Sequence, residues 1–286
     1  MKKGKSHLTT ILLVVVLLAG LSLLLYPSFS ETWNSFHQSR AIASYAEQVA
    51  TLDDGTYDRL WQSAQAYNAA MAGDSVAYAL SDDRKADYEA QLDVSGLGIM
   101  GYIEIPSIGC SLPIYHGTNE AVLQIAVGHL EWSSLPVGGE GTHCVLSGHR
   151  GLPSARLFTD LDTLVVGDIF MLRVLDEVLT YEVDQILIVE PQELSALQPE
   201  AGKDLCTLVT CTPYGINTHR LLVRGHRIEN LAEAKTTRVT ADAVQIEPLM
   251  VAPVVAIPLL LVLLILLLLP KPPKNKRGGD ADEEDL

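Results

Sequence analysis

Cys211 stands at a position where proteins often hold reactive groups, at the end of an apolar run and just before a turn. Residues 207–210 read TLVT, a pattern typical of a strand, and residues 212–215 read TPYG, which is turn chemistry. A strand end that opens into a loop keeps a side chain rigid and still exposed. Because a cysteine attacks as its thiolate, it needs a base or a cation nearby. We therefore take Cys211 as a candidate nucleophile.

The other three cysteines, Cys110, Cys144 and Cys206, lie in or beside apolar runs and are predicted to be core residues. Cys206 precedes Cys211 by five residues, so strand alternation places it on the opposite face. An even number of cysteines in an exported protein is also compatible with two disulfides. The sequence leaves that alternative open.

Six histidines could supply the base. His149 differs from the others because it follows a strand-like run at 144–147 and is enclosed by Gly148 and Gly151, which again indicates a strand end that opens into a loop. A histidine exchanges protons near neutral pH and can serve as a general acid or base. The full set of candidates is His116, His129, His143, His149, His219 and His226.

Two arginines after Cys211 could stabilise a developing oxyanion, because a guanidinium keeps its proton and donates fixed hydrogen bonds. Arg220 and Arg224 lie on the next strand-like run and share one face with Leu222 between them. Either one could point at the thiolate. The alternative for both is a surface ion pair in an acidic domain.

Several other chemistries have no motif in this sequence. There is no CxxC, no HExxH, no cluster at zinc spacing, no glycine-rich phosphate loop and no G-x-S-x-G. We therefore expect neither a metal nor an organic cofactor. A formal net charge of -15 argues against a nucleic-acid partner, because phosphate binding requires clustered Lys and Arg.

The elements around these residues predict a mainly β fold. Residues 31–92 have helical spacing, with Leu60, Ala64, Tyr67 and Met71 on one face and Asp53 or Asp54 as the cap. From residue 93 onward, short β-type runs and frequent Gly and Pro predict a closed or nearly closed barrel with a few helical insertions. The predicted strands are 100–105, 112–116, 142–147, a hairpin within 168–190, 205–211 and 220–228, with a short helix at 119–127.

Two charge-free apolar blocks near the ends are long enough to span a membrane. The first, at 8–26, follows Lys2, Lys3 and Lys5, and it could instead be a cleaved signal peptide. The second, at 249–270, precedes four basic residues. Because basic residues mark the cytoplasmic side, both termini are predicted to be cytoplasmic and residues 31–247 to lie outside the cell. The excess of acidic residues then belongs to this exported part.

The predicted units are 1–30 (cytoplasmic N-terminus and anchor), 31–92 (helical lead-in), 93–232 (catalytic barrel), 233–248 (linker), 249–270 (second membrane helix) and 271–286 (cytoplasmic tail).

Several strings along the chain resemble the class C, pilin-polymerising sortases of Gram-positive bacteria. The segment TLVTCTPYGINTHRLLVRGHR at 207–227 resembles their cysteine stretch, and LSGHRGLPSARLFTDLD at 146–162 resembles their histidine segment. GYIEIP, LPIYHGT and VGHLEWSSLPVGG match the same family. The resemblance is dense over residues 95–228, and the flanking membrane segments agree with it.

The resemblance implies an eight-stranded sortase barrel with Cys211 as nucleophile, His149 as acid and base, and Arg220 rather than Arg224 as the family arginine. Thr210 would help to shape the oxyanion region, with Arg224 as a weaker candidate there. The implied reaction cleaves the Thr-Gly bond of an LPxTG-like sorting signal through a thioacyl enzyme and joins pilins by a lysine isopeptide bond. The implied partners are pilins or surface proteins that carry such signals, and the membrane.

One departure concerns the lid. Class C sortases usually carry an Asp-Pro-aromatic motif before the barrel, and residues 67–92 contain no Asp-Pro, so we assign no lid residue. Asp74 and the stretch at 80–82 are the nearest substitutes. Two alternatives remain open: a sortase that attaches surface proteins to peptidoglycan, and an inactive assembly factor that binds sorting signals.

Overall fold

A computed structural model describes residues 4–71 and 80–230. The predicted second membrane helix, the linker, the cytoplasmic tail and Asp74 lie outside the described residues. The chain divides into two units, and within the described part these are residues 4–25 and residues 26–230. The helices are α1 (Gly4–Ala50), α2 (Asp54–Met71), α3 (Asp82–Ala90) and α4 (Glu120–Leu123).

The first unit consists of the apolar part of α1. From Thr9 onward, α1 is the one helix among the described residues that is long and apolar enough to cross a membrane, with a mean hydropathy of 2.5 over its most apolar window. That window is not buried against protein. This agrees with the predicted first apolar helix, although α1 continues through Pro27 as far as Ala50.

Eight strands close into a barrel in the order β1-β2-β3-β4-β7-β8-β6-β5, which confirms the predicted fold class. The β2–β3 and β4–β7 pairs are parallel and the other pairs are antiparallel. The strands are β1 (Ile99–Ile105), β2 (Cys110–His116), β3 (Val127–His129), β4 (Thr142–Ser147), β5 (Ile169–Val174), β6 (Glu177–Val189), β7 (Asp204–Thr212) and β8 (His219–Ile228).

The predicted strands and helices lie within a few residues of those found, with one omission. Strand β3 falls where the sequence predicts the end of a helix, and the helix itself is shortened to the four residues of α4. A three-residue strand has too few positions to show alternation, so its pairing with β2 and β4 defines it instead. Asp53 caps α2, because its carboxylate accepts a hydrogen bond from the Thr56 backbone N–H at 2.9 Å.

The second half of α1 packs on the barrel through Tyr45. Its hydroxyl donates to the Met100 carbonyl at 2.9 Å and accepts from the Leu175 N–H at 2.8 Å, and its ring meets Tyr102 edge-on. Ile42 and Val49 are buried one turn to either side. This helix therefore belongs to the same hydrophobic core as the barrel.

A buried ion pair links β1 to β5. Glu104 Oε2 lies 2.7 Å from Arg173 Nε, and both side chains are at most 10% exposed. Glu104 Oε1 finds no hydrogen-bond partner among the described residues. A buried pair of this kind holds two strands in register and is costly to break on one side.

Replacing Glu104 with alanine is expected to lower the free energy of unfolding by roughly 3–5 kcal/mol, because the buried Arg173 guanidinium then loses the carboxylate 2.7 Å from its Nε. Urea unfolding of the full chain in detergent micelles measures this loss. The double variant Glu104→Met, Arg173→Met removes both charges and should recover most of the stability. A double variant as unstable as Glu104→Ala would contradict this explanation.

Candidate active site

Cys211 and Arg220 face each other across two antiparallel strands. Cys211 lies near the end of β7 and Arg220 near the start of β8, and the register pairs them directly. Their side chains share the outer face of the barrel with Val209 and Leu222, which pair in the same register. Cys211 is half-buried with a free thiol. The fold thus brings the candidate nucleophile next to a guanidinium.

His149 lies on the other side of Cys211. Strand β4 runs parallel to β7, and the register pairs Ser147 with Val209. Two residues further along the chain are His149, just beyond the end of β4, and Cys211 on β7, so continuing the same register sets the histidine beside the cysteine. The backbone supports this extension, because the Gly148 N–H donates to the Val209 carbonyl at 3.1 Å. His149 after β4, Cys211 on β7 and Arg220 on β8 therefore form a row at one end of three neighbouring strands.

The loop that begins at His149 closes back on the histidine at Phe158. The Phe158 N–H donates to the His149 carbonyl at 3.1 Å. Phe158 is fully buried, and its ring packs against Gly148 so closely that a Cβ at that position would lie 2.7 Å from a ring carbon. A side chain at residue 148 would therefore displace Phe158 or the backbone next to His149.

Thr210 supports the histidine segment from inside the barrel. Its side chain is buried on the face opposite Cys211, and its hydroxyl donates to the Gly148 carbonyl at 2.8 Å. The resemblance assigns Thr210 to the oxyanion region. In the structure its hydroxyl connects β7 to the residue before His149, and the oxyanion role stays a prediction.

Arg150 joins the histidine loop to the loop after Cys211, a role that the sequence did not indicate. It forms an ion pair with Asp162, donates to the Thr212 hydroxyl at 3.4 Å and lies 5.8 Å from the centre of the Tyr214 ring. The same ring packs on Gly151, whose φ of +76° favours glycine. The two loops that flank the site therefore contact each other through Arg150 and Tyr214.

Glu120 is a second residue that sequence reasoning did not single out. It begins α4, and its carboxylate lies 3.9 Å from His149 Nε2. His149 is 29% exposed and Glu120 is 74% exposed, so solvent screens this contact. No motif spacing marks the residue, because the closure of the barrel brings α4 to the histidine loop.

The two candidate arginines have different partners. Arg224 donates to both oxygens of Asp184 at 2.9 Å and to Glu200 at 2.7 Å, and these bonds raise its pKa above the usual value. Arg220 donates to the carbonyls of Asn217 and His219 and forms no ion pair with a carboxylate among the described residues. Arg220 is thus the arginine whose charge is available next to Cys211.

All four cysteines are free, so the disulfide alternative is wrong. Cys144 and Cys206 are buried register partners on β4 and β7, inside the barrel as predicted. Burial raises the pKa of the half-buried Cys110 thiol to about 12. No group of three or more potential metal ligands occurs within residues 4–71 and 80–230.

The other five candidate histidines are placed away from Cys211 or carry hydrogen bonds of their own. His116, His129 and His143 have both ring nitrogens hydrogen-bonded to other groups. His219 pairs with Glu190 at 3.3 Å, and Nδ1 of His226 is buried.

Thiol alkylation should separate Cys211 from the other cysteines. Iodoacetamide applied to the folded full chain at neutral pH is expected to modify Cys211 alone, because Cys144 and Cys206 are buried and the raised pKa of Cys110 keeps that thiol protonated. Peptide mapping after digestion locates the adduct, and a Cys211→Ala variant should stay unmodified. Modification of Cys110 at a comparable rate would contradict the assignment.

A family model described as the Sortase domain matches residues 103–228. The crystal structure of sortase C1 from Streptococcus agalactiae is 52% identical, with a TM-score of 0.66, and the match covers 67% of this chain and 99% of that one. This chain belongs to the sortase family. The sortases are cysteine transpeptidases, which agrees with a cysteine, a histidine and an arginine in one row.

Two further solved structures of sortases C are similar to this chain. Sortase C-1 from Actinomyces oris is 43% identical with a TM-score of 0.57, and the match covers 60% of this sortase and 99% of that chain. A Streptococcus pneumoniae sortase C structure, reported for its insights into catalysis and pilin substrate specificity, is 44% identical with a TM-score of 0.59. That match covers 67% of this sortase and 97% of that chain.

Curated relatives in the family are more distant. Sortase D of Bacillus subtilis is 33% identical over 131 residues, which are 45% of this sortase and 63% of that protein. Sortase A of Streptococcus agalactiae is 30% identical over 150 residues, which are 51% of this sortase and 60% of that protein. The sortase thus spans less than two thirds of the length of these curated relatives.

Proposed function

We propose that this sortase is a pilin-polymerising cysteine transpeptidase that cleaves an LPxTG-like sorting signal. The register that sets His149, just after β4, beside Cys211 on β7 and Arg220 on β8 supports the proposal, because a base, a nucleophile and a guanidinium without an ion pair among the described residues would then act together. Residues 93–232 would form the catalytic unit and residues 31–92 its helical support. The remaining predicted units would be the two membrane segments, the linker and the tail.

In the first half-reaction, the Cys211 thiolate attacks the threonine carbonyl of the Thr-Gly bond. The carbonyl oxygen becomes an oxyanion, which the Arg220 guanidinium stabilises as a fixed hydrogen-bond donor. The C–N bond then breaks, and His149 as imidazolium gives its proton to the leaving glycine amine. The product is a thioester between Cys211 and the shortened substrate.

In the second half-reaction, a lysine amine of another pilin attacks the thioester. His149 takes the proton that the amine loses, and Arg220 again stabilises the oxyanion. The C–S bond breaks, so the Cys211 thiolate is regenerated and an isopeptide bond joins the two subunits. No oxidant, metal or organic cofactor is consumed.

Class C membership of the structural neighbours supports pilin as the substrate. The Streptococcus agalactiae and Streptococcus pneumoniae chains are covered over 99% and 97% of their lengths at 52% and 44% identity. The pneumococcal structure has been reported in connection with pilin substrate specificity. The apolar part of α1 supports membrane anchoring, with the barrel outside the cell.

The test incubates the full chain in vesicles with a pilin that carries an LPxTG-like signal and a surface lysine. Pilin polymerisation predicts a ladder that resists SDS and boiling, and mass spectrometry should find a threonine-to-lysine isopeptide bond. A peptidoglycan-attaching sortase would instead join the same threonine to a cell-wall amine and leave pilins monomeric. An inactive assembly factor would retain the uncleaved signal.

A further inference from the structure

Four large rings form an aromatic stripe along the solvent side of α1. Tyr26, Phe29, Trp33 and Phe36 are between 56% and 72% exposed, although aromatic side chains normally bury most of their surface. Phe29 and Trp33 stack with ring centres 6.5 Å apart. At the spacing of an α-helix, all four fall within an arc of about 80°. A contiguous apolar surface of this kind usually marks a binding face.

The opposite face of the same helix segment contacts the barrel unit, including the loop that carries His149. Asn34 donates to the Ser154 carbonyl at 2.7 Å, and Gln38 donates to the Ile125 carbonyl at 2.7 Å. The Glu31 carboxylate accepts from the backbone N–H of Arg156. Residues 154–156 belong to the loop that carries His149. These contacts lie about 150° around the helix from the aromatic stripe.

Along the helix, the aromatic stripe is preceded by apolar residues and followed by polar and charged residues. Before Tyr26 comes the apolar part of α1, and after Phe36 the same face continues with Arg40, Ser44 and Glu47, all exposed. Across the surface of a bilayer, protein side chains typically change from apolar to aromatic and then to charged. Tyr and Trp concentrate at that boundary because each ring is apolar with one polar group.

We infer that the aromatic stripe lies in the headgroup layer of the phospholipid bilayer. Through the opposite face of α1, the bilayer then supports the loop that carries His149 and keeps it near the membrane surface. Substrates that are themselves held in the membrane would reach the site from that surface. The inference rests on the membrane anchoring in the proposed function.

Fluorescence of the full chain in phosphatidylcholine vesicles tests this position. With Trp61→Phe and Trp132→Phe, Trp33 becomes the one tryptophan, and the matched control adds Trp33→Phe and Glu47→Trp on the same helix face. Trp33 should be quenched by lipids brominated near the headgroup end of the acyl chain and protected from aqueous iodide. The control should be quenched by iodide and not by brominated lipid.

The unaltered chain provides a second readout that does not depend on these substitutions. A phosphatidylcholine with a photoreactive headgroup should label residues 26–36 and leave residues 40–47 unlabelled. Flotation with the vesicles separates the possible failures. A chain that does not float refutes anchoring and the inference together. A chain that floats while Trp33 is as open to iodide as the control refutes the inference alone and indicates a protein partner for the stripe.

Discussion

Replacing Cys211 with alanine is expected to reduce transpeptidation by at least about 10⁴-fold, because every covalent step passes through its sulfur. The substitution removes one half-buried atom on the outer face of the barrel, so stability should change little. The measurement is the rate of isopeptide formation by the full chain in vesicles, with unfolding followed in parallel.

The matched control is Cys110→Ala, which changes the other half-buried cysteine, on β2. This variant should keep most of the wild-type rate. Polymer formation by Cys211→Ala at a rate near that of wild type would refute the assignment of Cys211 as the nucleophile. It would favour an assembly factor that binds the signal without cleaving it.

Arg220→Ala is expected to lower kcat by about 10²–10³-fold, the usual loss when one oxyanion donor is removed. Arg220 bonds only backbone carbonyls in the described structure, so its loss leaves no carboxylate without a partner there. The KM for the signal peptide and the stability should therefore change little. Single-turnover acylation with a signal peptide measures this effect directly.

Arg224→Ala is the matched comparison and should behave in the opposite way. Its removal takes the guanidinium away from the half-buried Asp184 carboxylate, so stability should fall while the acylation rate stays within a few-fold of wild type. If Arg224→Ala abolishes acylation and Arg220→Ala does not, the assignment of the two arginines is reversed.

The sequence predicted the strands that hold the site because each has enough residues to show its pattern. Strand β4 was placed at residues 142–147, as found, and the opposite orientation of Cys206 and Cys211 follows from alternation along β7. Strand β3 was missed because three residues show no period, and its pairing with β2 and β4 depends on barrel closure.

The choice between the two arginines required contacts that no local pattern contains. Arg220 and Arg224 share a face, as predicted, and the family resemblance favoured Arg220. The physical difference lies in Asp184, which reaches Arg224 from the neighbouring strand β6. Glu120 and Arg150 were overlooked for the same reason, since their neighbours at the site come from distant parts of the chain.

The intact mass of the enzyme during acylation shows whether Cys211 carries the acyl group. The full chain is mixed with a peptide that contains an LPxTG-like signal, without an amine acceptor, and the reaction is stopped with acid. We expect a mass increase equal to the peptide fragment that ends at threonine, located on Cys211 and released by added lysine amine as an isopeptide product. Cleavage of the peptide without this adduct, or with the fragment on another residue, would contradict this expectation.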